Sequence, residues 1–383
     1  MISVDERRLD DLSKLDDTDP QGMLRAVAGS GAQIRNAAML AREHGVQRVA
    51  EDGRPRAVVV VGMGGSGISG DVLAGMAGIE SPVPVLTHRA HGLPGWVGAA
   101  DLVMAVSCSG TTEETLSATE EAVRRGVRIM GVGAPDSPLA DLVARGRGPY
   151  VPVVGPGQPR ASLWLLATPL LVAADALGIC SVSQADLDAA ADLCDAIAER
   201  CRPASESFLN PAKNLALTIA GTIPAIWGAS PLTAVAAYRF ACQLNENGKH
   251  PAIYGTLPEA AHNQVMSFDG QLGRGAADAD LFADRGDDDD ETTGTTRLHL
   301  ITLKDSGEHP KVTARREVAA ALAQERGVRV TELESEGSSP IERLASLVAI
   351  GDFASTYLAL LLGLDPTPVG AIAELKAALA ARV

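Results

Sequence analysis

The stretch VVVVGMGGSGISGD, from Val58 to Asp71, places four consecutive valines directly before a glycine-rich turn. A short, continuous apolar run of this kind is typical of a strand buried in a parallel sheet. The residues after the turn are expected to form a helix, so the turn would present backbone N–H groups at a helix N-terminus. Such groups form an anion-binding site by their geometry. The stretch therefore predicts an α/β fold with an anionic ligand, without specifying the anion.

Three of the glycines, Gly62, Gly64 and Gly67, match the G-x-G-x-x-G spacing of dinucleotide-binding folds. Those folds also carry an acidic residue at the end of the next strand, where it binds the ribose hydroxyls. Here the next strand ends in THRAHG, from Thr87 to Gly92, and offers Arg89, which suits a 2′-phosphate. An NADP-dependent oxidoreductase is therefore one alternative.

Apolar strands alternate with helices along the chain, and the alternation begins again after Asn210. This pattern predicts an α/β protein with two doubly wound parallel sheets and flanking helices. The two halves share the same order of elements, which suggests a duplicated fold. The predicted segments are an N-terminal helical segment over 1–34, a first domain over 35–184, a connecting helix over 185–209 and a second domain over 210–383.

The composition narrows the range of partners. The 383 residues carry a net charge of −15, which argues against nucleic acid or an anionic membrane surface as a main partner. The acidic N-terminus lacks the apolar segment of a secretory signal, so the expected location is the cytoplasm. The five cysteines form no ligand cluster, and neither a metal nor another cofactor is expected. An anionic ligand needs hydrogen-bond donors close to its binding site, because the net negative charge of the chain repels it.

A second polar turn, VSCSGTTEETL, follows the third predicted strand. Ser107, Ser109, Thr111 and Thr112 place four hydroxyls directly before a helix, where they and the first N–H groups can coordinate a phosphomonoester. A capping box of Thr111 with Glu114 is the structural alternative, but it accounts for one or two of the four hydroxyls. The turn therefore predicts a phosphate site.

The two turns, GMGGSGISGD and SCSGTTEETL, resemble the ligand-binding turns of sugar isomerase (SIS) domains. In that family the first turn borders the sugar and the second binds its phosphate. The family's usual second turn is SYSGNTEET, and Cys108 and Thr111 depart from it without removing a phosphate-binding hydroxyl. The resemblance assigns substrate binding to Gly64, Gly65, Ser66, Ser107, Ser109 and Thr112.

The stretch NENGKHPAIYGTLPEAAHNQVMSF, from Asn245 to Phe268, holds a candidate acid and base. Interconversion of an aldose and a ketose needs one base to move a proton between C1 and C2 and a second group to open the sugar ring. Glu246 and His262 have the side chains for these tasks. Their spacing alone favours a surface acid at a helix end and a structural histidine.

The same stretch resembles the NEN-x-K and LPEA-x-HN segment of the bifunctional phosphoglucose/phosphomannose isomerases, a family with two SIS domains, and the resemblance extends over nearly the whole chain. It implies that Glu246 is the proton-transfer base and that His262 opens the ring. The family forms homodimers in which this histidine completes the partner's site. The segment GQPRASLWLL implies that Arg160 lies at the sugar, and IAELKAAL implies the same of Lys376.

Several features leave the assignment open in detail. Glu259, in LPEA, is a second carboxylate that could orient His262 or be the base itself. Thr367 is a candidate for the choice between glucose and mannose epimers. The acidic loop over 273–297 is predicted to be a solvated segment.

The sequence thus predicts a metal-independent isomerase that interconverts fructose 6-phosphate with glucose 6-phosphate, mannose 6-phosphate or both. The alternatives are a non-catalytic SIS regulator that senses a phosphosugar, an isomerase of another phosphosugar, and the NADP-binding oxidoreductase. A substitution of Glu246 distinguishes the isomerase from the non-catalytic regulator, because a sensor needs no base.

Overall fold

The apolar strands pair into two separate, entirely parallel sheets in the computed structural model, which describes residues 5–155, 157–273 and 297–382. The strand order is β2-β1-β3-β4-β5 in the first sheet and β7-β6-β8-β9 in the second. The strands of the first sheet are β1 Val58–Val61, β2 Val85–His88, β3 Leu102–Ser107, β4 Arg128–Gly133 and β5 Tyr150–Pro152. The strands of the second sheet are β6 Thr222–Gly228, β7 Ile253–Thr256, β8 Arg297–Lys304 and β9 Arg329–Glu334. The prediction of two doubly wound parallel sheets is confirmed.

Helices cover both faces of each sheet, as buried parallel strands require. Those of the first half are α1 Leu12–Thr18, α2 Met23–Ala28, α3 Ser30–Glu43, α4 Gly64–Ala77, α5 Glu113–Arg124, α6 Pro138–Arg145, α7 Leu163–Ala176 and α8 Gln184–Arg200. Those of the second half are α9 Pro211–Ile219, α10 Pro231–Glu246, α11 Pro310–Glu325, α12 Pro340–Leu361 and α13 Gly370–Ala380. Helix α3 runs across the segment boundary predicted at residue 34, whereas α8 begins where the connecting helix is predicted. The acidic loop lies outside the described residues apart from its two ends.

One continuous apolar core lies between the two sheets and includes side chains of α3, α7, α8, α10 and α12. Helix α12 is the one helix of the described residues that is long and apolar enough to cross a bilayer, with a mean hydropathy of 1.7. However, 94% of that segment is buried within the protein, so its apolar character is accounted for by the core. The same core joins α4 of the first half to α10 of the second, which fixes the two halves against each other.

A buried histidine in β8 makes the stability of the fold depend on pH. His299 is fully buried, and its Nε2 lies 2.9 Å from the hydroxyl of Thr331. Burial, with a smaller contribution from Arg329, lowers the pKa of His299 from 6.5 to about 4. The unfolded chain therefore takes up this proton first as the pH falls. The contribution to stability is complete above about pH 6.5 and is lost as the pH falls toward 4.

We expect the substitution His299→Gln to remove part of this pH dependence, by about 3 kcal/mol at most between pH 7 and pH 4. Urea unfolding at several pH values measures the difference between the variant and the wild type. His44→Gln is a suitable control, because His44 is exposed. Parallel pH profiles for the wild type and His299→Gln would contradict the prediction.

Candidate functional site

The glycine turn after β1 brings the backbone close to a second loop. Gly64 has a left-handed φ of 53°, which a side chain would strain. Gly65 packs directly against the main chain of Arg160, since a Cβ added there would lie 3.4 Å from the Arg160 Cα. Ser66 is buried, and its Oγ accepts the N–H of Cys108 at 3.2 Å. The first turn therefore contacts both the second turn and the loop that carries Arg160.

The turn after β3 gathers its hydroxyls as the sequence predicts. Ser107 Oγ lies 2.9 Å from Thr112 Oγ1 and 3.5 Å from Ser109 Oγ, and it accepts the N–H of Gly110 at 3.1 Å. Helix α5 begins after Thr112, whose hydroxyl makes no capping hydrogen bond to the helix. The capping box of Thr111 with Glu114 is therefore not formed. In the strand order 2-1-3, β1 and β3 are neighbours, and ligands of doubly wound folds bind beyond the carboxyl ends of such strands.

Arg160 lies in a 3-10 turn, Pro159–Ala161, between β5 and α7, and its side chain is only 4% exposed. Its Nε donates to Asn247 Oδ1 at 2.6 Å, and its Nη2 donates to the carbonyls of Pro366 and Thr367 at 2.7 Å each. Burial lowers the pKa of the guanidinium, and the carboxylates of Glu246 and Asp365 oppose that shift. The contacts hold a cation in one orientation between the two halves of the chain.

Glu246 is the last residue of α10, and its side chain remains 31% exposed. Its Oε2 lies 4.0 Å from Arg160 Nη1. The structure thus brings together two residues that are 86 positions apart in the sequence and that the family resemblance assigns to one site. A carboxylate open to solvent beside a fixed cation can remove a proton from a bound molecule while the cation stabilises the negative charge that develops.

Two neighbours of Glu246 belong to the same polar cluster and were not predicted from the sequence. Asn247 is fully buried and accepts the Arg160 hydrogen bond described above. Lys249 adopts a left-handed φ of 49°, and its Nζ donates to the carbonyls of Asn247, Asp365 and Pro366. Burial, followed by repulsion from Arg160, lowers the pKa of Lys249. The NENGK motif was the available signal, but only its glutamate was predicted to have a role.

Thr367 lies at the same cluster. Its side chain is 2% exposed, and its carbonyl accepts the hydrogen bond from Arg160. Its amide donates to Asp365 Oδ1 at 2.8 Å, whereas its hydroxyl has no hydrogen-bond partner among the described residues. The main-chain carbonyls of residues 365–367 thus accept hydrogen bonds from Arg160 and Lys249.

The other candidate residues make no hydrogen bond or ion pair with this cluster among the described residues. His262 is exposed at the end of a 3-10 turn, Glu259–His262, and its Nε2 lies 3.4 Å from Arg315 Nη1 on α11. Glu259 Oε1 accepts a hydrogen bond from Asn263 Nδ2 at 3.0 Å, so its partner is not His262. Lys376 is exposed on α13, of which residues 370–379 are all exposed. Within the described residues, Lys376 makes no hydrogen bond or ion pair.

Arg89, the residue on which the NADP alternative depends, is already paired. Its guanidinium forms an ion pair with Asp71 and lies 5.5 Å from the centre of the Tyr238 ring. Asp71 in turn accepts a hydrogen bond from Thr87 Oγ1 at 2.9 Å. A 2′-phosphate would have to displace this carboxylate, which disfavours the dinucleotide interpretation.

Known proteins resemble the chain in both sequence and structure. Residues 208–379 match the model of the bacterial phospho-glucose isomerase C-terminal SIS domain. A bifunctional phosphoglucose/phosphomannose isomerase of Caldicellulosiruptor bescii is 30% identical over 361 residues, which are 94% of this chain and 99% of that protein. Its counterpart in Aquifex aeolicus is 31% identical over 330 residues, covering 86% of this chain and 92% of that protein.

A solved structure of a hypothetical protein from Thermus thermophilus superposes with a TM-score of 0.68 at 18% identity, over 98% of this chain and 93% of that chain. At this identity the likeness concerns the fold alone. The sequence relationship extends over almost the full length of the curated relatives and includes both turns and the glutamate segment. The chain therefore belongs to the bifunctional phosphoglucose/phosphomannose isomerase family.

Proposed function

We propose that the protein is an aldose–ketose isomerase that interconverts fructose 6-phosphate with glucose 6-phosphate, mannose 6-phosphate or both. The observation that carries the proposal is the 4.0 Å approach of the Glu246 carboxylate to the buried Arg160 guanidinium. This pair lies next to two turns that suit a phosphosugar, and the relatives named for this activity support the same conclusion. A pathway enzyme of this kind is expected in the cytoplasm.

In this proposal the phosphate binds at the second turn. The hydroxyls of Ser107, Ser109 and Thr112 and the first N–H groups of α5 would donate to its oxygens. Gly64, Gly65 and Ser66 would border the sugar, because the absence of side chains at the two glycines leaves room against the backbone. These fixed local donors answer the electrostatic problem of an acidic protein that binds an anion.

The chemical step then needs one base and one cation. The Glu246 carboxylate removes the proton from C2 of the open aldose, and the electrons pass through an enediolate to the C1 oxygen. Return of that proton to C1, with transfer of the C2 hydroxyl proton to the C1 oxygen, gives the ketose. Arg160 remains charged at neutral pH, since guanidinium groups do not lose their proton in proteins. It would stabilise the enediolate oxygen without taking part in the proton transfer.

Opening the ring requires a second group besides Glu246. Among the described residues, His262 makes no hydrogen bond or ion pair with Glu246. We propose that His262 supplies this group in a homodimer, where the partner's histidine would complete each site. Lys376 would approach the sugar when α13 packs against the site, and Thr367 would influence the choice of epimer through its buried hydroxyl. Glu259 is kept as the alternative base. The four-segment division of the chain likewise stays a prediction.

The test of the function is to incubate the metal-stripped protein with fructose 6-phosphate and to identify the aldoses formed. Appearance of glucose 6-phosphate or mannose 6-phosphate supports the proposal, and the ratio of the two defines the epimer preference. Absence of both products, with the sugar phosphate still bound, would favour a regulatory sensor. Absence of binding as well would point to a different phosphosugar.

The phosphate turn gives a separate prediction. We expect Thr112→Val to raise the KM for fructose 6-phosphate about tenfold with little change in kcat, because a hydrogen bond to a charged group is lost. Thr115→Val is the matched control: Thr115 lies on the same helix and is buried, and its hydroxyl has no hydrogen-bond partner among the described residues. Steady-state kinetics of both variants provide the comparison. Equal KM values for the two would contradict phosphate binding by Thr112.

A further inference from the structure

A buried ion pair joins two helices behind the candidate active site. Arg239 on α10 donates from Nε to Asp352 Oδ1 at 3.0 Å and from Nη2 to Asp352 Oδ2 at 2.6 Å. The two side chains are only 2% and 5% exposed. Gln243 adds a third hydrogen bond to Asp352 Oδ1 at 3.1 Å. The geometry is the two-pronged arrangement that fixes both partners most strictly.

The pair is connected to Arg160 in two ways. Arg239 Nη2 also donates to the main-chain carbonyl of Arg160 at 2.8 Å. On the other side, Asn247 accepts from Arg160 Nε and donates from Nδ2 to Ser355 Oγ at 3.1 Å. Ser355 Oγ donates in turn to the carbonyl of Asp352 at 2.9 Å. The backbone and the guanidinium of Arg160 are therefore both tied to the same turn of α12.

Stability alone does not account for a charged pair at this place. Removing two charges from water is costly, and apolar side chains of similar volume often give a fold that is equally stable or more so. What an apolar pair cannot provide is the hydrogen bond to the Arg160 carbonyl. We infer that Arg239 and Asp352 are positioning residues, which hold Arg160 in the orientation that the enediolate needs. This inference rests on the proposed isomerase function.

Loss of the Arg239–Asp352 pair should affect turnover and substrate binding differently. Ser107, Ser109 and Thr112 make no hydrogen bond to Arg239 or Asp352 among the described residues. A loss of the pair should therefore leave phosphate binding intact and disturb only the charge that faces the reacting carbons. We expect a lower kcat with a KM close to that of the wild type.

The decisive variant is the double substitution Arg239→Met with Asp352→Leu, because it leaves no unpaired charge in the core. We expect it to fold and to have a kcat about a hundredfold below the wild type, the size of effect that a displaced catalytic group produces. Asp352→Asn alone should lower both stability and kcat. The control is Arg316→Met with Glu308→Leu, a pair joined at 3.2 Å with side chains 2% and 3% exposed. Arg316 also pairs with Glu332, whose side chain is 43% exposed, so the control leaves no unpaired charge in the core. The Arg316–Glu308 pair makes no contact with Arg160, so the control should keep the wild-type kcat.

Wild-type kcat in a folded Arg239→Met, Asp352→Leu variant would overturn the inference, as would an equal loss in the control. If the wild type itself does not isomerise hexose phosphates, the proposed function fails but the positioning role is still measurable. Amide hydrogen exchange of residues 157–163 then provides the readout. Faster exchange there in the double variant than in the control supports the inference, and unchanged exchange contradicts it.

Discussion

Replacing Glu246 with glutamine is expected to reduce kcat for fructose 6-phosphate by roughly 10²- to 10⁴-fold, the usual contribution of a general base. The amide has nearly the same shape as the carboxylate but cannot accept the proton from C1 of the ketose. Because the side chain is 31% exposed and ends a helix, the variant should fold normally. Substrate affinity, measured by calorimetry, should change little, since the phosphate turn is untouched.

Deuterium incorporation makes this test independent of product detection. In D₂O the wild type should place deuterium at C2 of the aldose product, and Glu246→Gln should not. The parallel variant is Glu259→Gln, whose carboxylate accepts a hydrogen bond from Asn263 and should matter far less for turnover. The opposite result, an inactive Glu259→Gln beside an active Glu246→Gln, would move the base to Glu259. Retained activity in both variants would exclude a carboxylate mechanism at this segment.

Mixing two inactive variants is expected to restore activity if the partner subunit supplies His262. Glu246→Gln and His262→Ala each disable both sites of their own dimers. After subunits are exchanged, a hybrid dimer contains one site with both substitutions and one site with neither. Random mixing of equal amounts should therefore recover about a quarter of the wild-type activity, since half of the dimers are hybrids with one intact site.

The same mixing experiment has a different expected result if no histidine is exchanged between subunits. If each chain used its own His262, every site of a hybrid would carry one substitution, and the mixture would stay inactive. Subunit exchange must be verified in the same sample, for instance by mass spectrometry of the intact dimers. A chain that stays monomeric in sedimentation experiments would also contradict the dimer. Exposure of His262 in the single chain is what gives this experiment its two clear outcomes.

The long apolar elements were predictable because burial on both faces leaves a strong pattern. The four valines of β1 are an example, since they were predicted to be buried and are buried, and the apolar run of α12 is buried as well. Strand β7 and helix α9 were not predicted. Strand β7 is short, and Ile253 and Tyr254 are exposed, so its residues carry no pattern of alternating burial. A strand of this kind is defined by its pairing with β6, which lies outside the local sequence.

The candidate site was likewise predictable only in part. Glu246 and Arg160 were identified through the resemblance of the segments around them, and the fold places them together. Pro366 and Thr367 contact Arg160 through their main-chain carbonyls, which every residue type possesses, so side-chain chemistry could not reveal these contacts. Thr367 was a candidate only for the choice of epimer. His262 and Lys376 make no hydrogen bond or ion pair with Glu246 or Arg160 among the described residues. The proposed role of His262 depends on assembly with a second subunit, which local sequence patterns do not encode.

The hydrogen bonds from Arg160 to the carbonyls of Pro366 and Thr367 also have a consequence for folding during synthesis. Arg160 belongs to the first half of the chain, yet two of its hydrogen bonds end on Pro366 and Thr367, more than two hundred residues later. A polypeptide still attached to the ribosome cannot anchor this guanidinium until residue 367 has left the exit tunnel. The fixed orientation of Arg160 thus requires both halves of the chain, and a fragment that ends before residue 366 would hold the second turn without an anchored guanidinium.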